Sequence, residues 1–186
     1  MRESNAVRAD ATTSDSSNWK QILQERMPLY GHRNWVVVAD SAYPAQACGG
    51  IETIVADADQ LAVLETVLAA LRASKHVIPT VYTDQELKFV EDYDAPGIKA
   101  YRDCLASLLD GFSVKVLPHE EIIVKLDRAG QTFRVLIIKT NMTIPYSSVF
   151  FELGCAYWDS DAEGRLRSAM RNENRKRRHG STRKLK

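Results

Sequence analysis

The residues best suited to chemistry lie at the two ends of one apolar run. Gly31-His32-Arg33-Asn34 directly precedes Trp35-Val36-Val37-Val38-Ala39, and Asp40-Ser41-Ala42-Tyr43-Pro44 directly follows it. A short continuous run of β-branched residues reads as a strand buried on both faces, as in a parallel sheet. Asp40 then stands at the carboxyl end of a strand, where ligands gather in α/β sheets. A histidine imidazole can both take up and release a proton, so His32 suits proton transfer in either direction. On position alone each has a plainer role: Asp40 caps the next element, and His32 sits in an exposed turn.

A second polar cluster lies between two apolar strands. It comprises Lys139-Thr140-Asn141 and Pro145-Tyr146-Ser147-Ser148. It could be a simple connecting loop, yet it holds few small turn residues. Its hydroxyls and amides can hydrogen-bond a polyhydroxylated ligand, and Tyr146 also offers a ring face.

Other chemistries lack their residues. A haloacid-type phosphatase needs a second Asp two positions after the first, and Ala42 stands there. No G-x-S-x-G elbow, phosphate-binding G-x-x-x-x-G-K-[ST] or G-x-G-x-x-G occurs. His32, His76, His119 and His179 and the three cysteines show no metal-ligand spacing, so no metal is expected.

These residues must be carried by α/β elements. Ser17 or Asn18 can cap a helix whose Trp19, Ile22, Leu23 and Met27 share one face. Strands are predicted at 35–39, 51–55, 77–82, 113–117, 134–139 and 148–153. Pro79 marks 77–82 as an edge or irregular strand, and Thr83 and Glu86 have capping-box spacing. Helical spacing covers 61–71, 98–110 before Gly111, and 119–130. The alternation predicts a single layered α/β domain at 18–158, its mostly parallel sheet flanked by helices. Residues 1–17 read as a flexible polar arm, and 159–186 as a basic, flexible tail in which 166–178 can form a helix.

The 186 residues carry a net charge of +1 that hides a split. Residues 165–186 hold ten Lys/Arg against one acid, or +9, and the rest hold 15 against 23, or −8. An acidic body argues against nucleic acid as the main ligand and leaves only the tail to meet one. No apolar run approaches membrane-helix length and no signal-peptide pattern opens the chain, so no membrane role is expected. Three widely spaced cysteines suit a reducing cytoplasm.

Together the two clusters resemble the D-ribose pyranase and L-fucose mutarotase family. Its pattern is a helix, then G-H-x-[DN], an apolar strand, and D-x-x-[FY]-P. Residues 31–44 match it completely, with the spacing kept. The fucose branch has R-A-D before a Leu-rich helix; here it is Val55-Ala56-Asp57. The late motif, T/S-G-E-x-x-x-Y-x-N, is matched at Thr140 and Tyr146, while Asn141, Met142 and Ser148 replace its Gly, Glu and Asn. Pro145 resembles the ribose branch.

The resemblance implies cofactor-free interconversion of cyclic forms of a free monosaccharide. A base takes the anomeric hydroxyl proton while an acid protonates the ring oxygen, and closure reverses the roles. It implies His32 as the proton-transferring residue, with Asp40, His119, Tyr146 and Ser148 binding substrate. His119 has an equal alternative as a surface residue at a helix start. The altered late motif leaves open a non-catalytic sugar-binding or regulatory relative.

The family also implies a homo-oligomer with sites at subunit contacts. Tyr157 and Trp158, after the last strand, agree with it. So does strand length. The rise of about 3.3 Å per residue separates His32 from Asp40 by more than about 20 Å. Either the loop from Gly31 folds back strongly, or a neighbouring subunit supplies its His32.

Overall fold

The computed structural model describes residues 18–181, with side chains described as far as Arg175. The arm expected at 1–17 lies outside the described residues. The elements run α1 (Asn18–Arg26), β1 (Trp35–Ala39), β2 (Ile51–Val55), α2 (Gln60–Ala73), β3 (Val77–Asp84), α3 (Ile98–Leu108), β4 (Ser113–Leu117), α4 (His119–Gly130), β5 (Val135–Lys139), β6 (Val149–Cys155) and α5 (Ser160–Ser181). A 3₁₀ turn, Gln85–Phe89, follows β3.

The strands form one sheet in the order β2-β5-β1-β6-β3-β4. Only β6 runs against the rest, pairing antiparallel with both β1 and β3. Burial follows the pleat of period two. Val36, Val38, Leu136, Ile138 and Phe151 face one side, where Trp19 and Leu23 of α1, Val67 and Leu68 of α2, and Ile98 and Leu105 of α3 cover them. Trp35, Val37, Val135, Ile137 and Phe150 face the other, covered by Ile122 and Leu126 of α4. The central strand β1 is buried at all five positions, which its uninterrupted apolar run allows.

Two local expectations are corrected. Strand β3 is internal, lying between β6 and β4. Pro79 is tolerated because β4 begins pairing only at Thr80, so no ladder bond on that side needs its missing N–H. Nor do Thr83 and Glu86 form a capping box. The strand continues to Asp84, and the Glu86 carboxylate accepts the His119 backbone N–H at 3.1 Å.

The connection from β5 to β6 passes over the carboxyl end of β1. Ser41 N–H donates to Met142 C=O at 2.8 Å there. That crossing brings the second polar cluster beside the first.

Candidate active site

Asp40 leaves β1 at its carboxyl end and meets Ser148 at the entrance to β6. The Ser148 hydroxyl donates to Asp40 Oδ2 at 2.9 Å and accepts the Asp40 backbone N–H at 3.2 Å. Asp40 Oδ1 accepts from Ala42 N–H at 2.9 Å. Ser148 is only 2% exposed, and its one proton is committed to Asp40. Its contact therefore orients the carboxylate.

Asp84 and His119 form the second half of the cluster. Asp84 ends β3, and His119 opens α4 directly after β4, so the β3–β4 register sets both backbones. His119 Nδ1 lies 3.1 Å from Asp84 Oδ2. The Asp84 side chain is fully buried, and its Oδ1 has no hydrogen-bond partner among the described residues. Asp84 raises the pKa of His119 by accepting its hydrogen bond. Burial raises the pKa of Asp84 itself, outweighing the opposing pull of His119. Both groups thus hold protons to higher pH than their ordinary values, Asp84 through burial and His119 through its carboxylate partner. The Tyr146 ring stands edge-on to His119, with centroids 5.7 Å apart. Tyr146 has the left-handed φ of +58°, uncommon for a non-glycine residue, and is half-exposed.

Behind the loop lies a buried polar clamp. Gln60, the first residue of α2, is fully buried. Its amide N–H₂ donates to Tyr101 Oη at 2.8 Å and to the Ser147 carbonyl, and Tyr101 donates to that carbonyl at 2.6 Å. The Thr140 hydroxyl lies 3.0 Å from Gln60 Oε1. Both ends of the 140–148 loop are thereby tied to α2 and α3. Gln60→Met removes the donor to the buried Tyr101 oxygen and one of the two donors to the Ser147 carbonyl. It is expected to lower unfolding stability by about 1–3 kcal/mol in urea titrations.

His32 is elsewhere. The Gly31–Asn34 turn closes on itself, Asn34 N–H donating to Gly31 C=O at 3.0 Å and Gly31 N–H to Asn34 Oδ1 at 2.8 Å. His32 is exposed at the amino end of β1, and its Nε2 accepts from Arg33 Nε at 3.3 Å. No fold-back occurs, so within one chain His32 and Asp40 stand at opposite ends of the strand. The structure therefore gathers Asp40, Ser148, Tyr146 and His119 and leaves His32 apart. Sequence reasoning missed Asp84, Gln60 and Tyr101. Asp84 had one available signal, a lone carboxylate ending an apolar strand, the same signal that marked Asp40. Among the described residues, no three His, Cys, Asp or Glu side chains converge to hold a metal ion.

A polar cluster at the carboxyl ends of a six-stranded, mostly parallel sheet defines the class: an α/β domain with its candidate site where ligands of such sheets bind. The chain belongs to the RbsD / FucU transport protein family, whose model matches residues 20–156. It is similar to RbsD from Bacillus subtilis, solved with D-ribose: 19% identity, 83% of this chain and 98% of that one, TM-score 0.49. It is also similar to the fucose mutarotase from Streptococcus pneumoniae, solved with L-fucose: 19% identity, 76% and 97% coverage, TM-score 0.50. None of the curated proteins compared matches it. No helix among the described residues is long and apolar enough to cross a membrane.

Proposed function

We propose that this chain interconverts cyclic forms of a free monosaccharide by acid–base catalysis, without a cofactor. The observation that carries this is the convergence of Asp40, Ser148, Tyr146 and His119 at one end of the sheet. Family membership and the similar fucose mutarotase, solved with L-fucose, support a free monosaccharide as the substrate class.

In this scheme His32 of a neighbouring copy reaches this polar cluster and exchanges the proton of the anomeric hydroxyl. Asp40, aimed by Ser148, accepts hydrogen bonds from sugar hydroxyls. Tyr146 donates from its phenol, and His119, held by Asp84, contacts the sugar from the other side. Ring opening then needs no redox step, only a proton taken at one oxygen and given at the other.

One further observation agrees with sharing between copies. Tyr157 and Ile78 are respectively 79% and 59% exposed, more apolar surface than an isolated subunit needs.

Saturation-transfer NMR on common pentoses and hexoses tests the function. Catalytic amounts of protein are expected to transfer saturation between the anomeric signals of at least one sugar. Line broadening by binding with no faster exchange at any pH would identify a non-catalytic sugar-binding relative instead.

A further inference from the structure

We propose that α5 is a nucleic-acid-binding element, contacting phosphates through one stripe of arginines. The helix runs from Ser160 to Ser181, and every residue from 164 to 175 is exposed. Among the described residues it has no substantial packing against any other element. An isolated helix of this composition owes nothing to the core, so burial does not account for its sequence.

The charges on it are ordered. Its 22 residues hold seven Lys/Arg and three acids, two of which, Asp161 and Glu163, occupy the first turn. Positions 167, 171 and 175 are all arginine, four residues apart, and the sequence repeats the pattern with Arg178. At about 100° per residue the first three fall within an arc of about 80°, and at about 1.5 Å per residue they extend for about 12 Å. Arg167 is joined to Glu163 at 2.5 Å, an exposed i,i+4 pair that a phosphate can displace at little cost. A duplex presents one negative charge per about 1.7 Å of axis, so the stripe spans several phosphates.

Other occupants fit less well. The side away from the stripe offers only Leu166 and Met170 as large apolar residues, 43% and 47% exposed. That is too little for a membrane-seated helix or a coiled-coil seam. The charge split limits the contact: a body of −8 opposes a polyanion, so any binding is confined to the +9 end. This inference is independent of the sugar site.

The test is fluorescence anisotropy of the full chain against a 20-base-pair DNA duplex and an RNA hairpin between 50 and 200 mM NaCl. Four phosphate contacts would weaken binding by about 10²-fold over that range. Replacing Arg167, Arg171, Arg175 and Arg178 with Gln is expected to weaken binding at least tenfold. Gln keeps helix propensity, and circular dichroism checks that the helix persists. A charge-matched variant, Gln at Arg165, Lys176, Arg177 and Lys184, is expected to lose less. Equal loss in the two variants would overturn the stripe. Absence of binding to both probes at 50 mM NaCl would overturn the proposal, and binding to phosphatidylserine vesicles alone would reassign the helix to a membrane surface.

Discussion

His32→Ala is expected to slow sugar anomer exchange by about 10²–10⁴-fold, the usual contribution of a positioned acid–base group. The fold of the subunit should hardly be destabilised, because within one chain the side chain is exposed and is held by a 3.3 Å hydrogen bond from Arg33. A catalytic loss without a stability loss separates this residue from Asp40, whose removal also orphans Ser148. Exchange NMR and calorimetry on the same preparation provide both readouts. Full activity in His32→Ala would remove that histidine from the chemistry.

The second large effect concerns Asp84. Asp84→Asn keeps the shape of the buried side chain and deletes the charge that holds His119. Exchange is expected to slow about 10- to 100-fold, part of what a positioned acid–base group supplies. The pKa of His119 should fall, because its largest raising influence is the Asp84 hydrogen bond. The acid-dependent limb of the rate profile then moves to lower pH, and the imidazole signal in histidine NMR titrates earlier.

Stability follows with a definite sign. His119 is raised in the folded state, so its contribution is complete below the unfolded pKa and is lost as pH rises through the folded one. Asp84 is raised as well, so its fold-favoured protonated form disappears in the same direction, from a lower starting pH. Wild-type stability therefore declines with rising pH across both windows. Asp84→Asn should flatten that decline. An unchanged pH profile and unchanged His119 titration would reduce Asp84 to a packing residue.

The strands were legible because their signal is local. The run Trp35–Ala39 is β-branched at three of five positions, and the structure gives a strand of those same bounds, buried throughout. The strand rise left either a fold-back of the Gly31 loop or a separation of His32 from Asp40, and the closed Gly31–Asn34 turn decides for the separation. The opposite direction of β6 was not legible. It depends on which strands pair, and β6 joins β1 and β3, which are distant in the chain.

Asp84 and Gln60 were missed for a related reason. Each is a polar residue buried by partners far along the sequence: His119 for Asp84, and Ser147, Tyr101 and Thr140 for Gln60. Composition reads such residues as surface or cap, and only tertiary contacts reverse that. Ser148 was legible as a position but not as a role, because its bond to Asp40 appears only when the β5–β6 loop crosses β1.

The central claim is that one site is built from two copies of the chain. Mixing inactive His32→Ala with inactive Asp40→Ala protein, under conditions where subunits exchange, tests it most directly. Some sites in mixed assemblies would then contain both intact residues, so the account expects exchange activity to return in part. No recovery, with subunit exchange demonstrated by mass, would contradict the shared site.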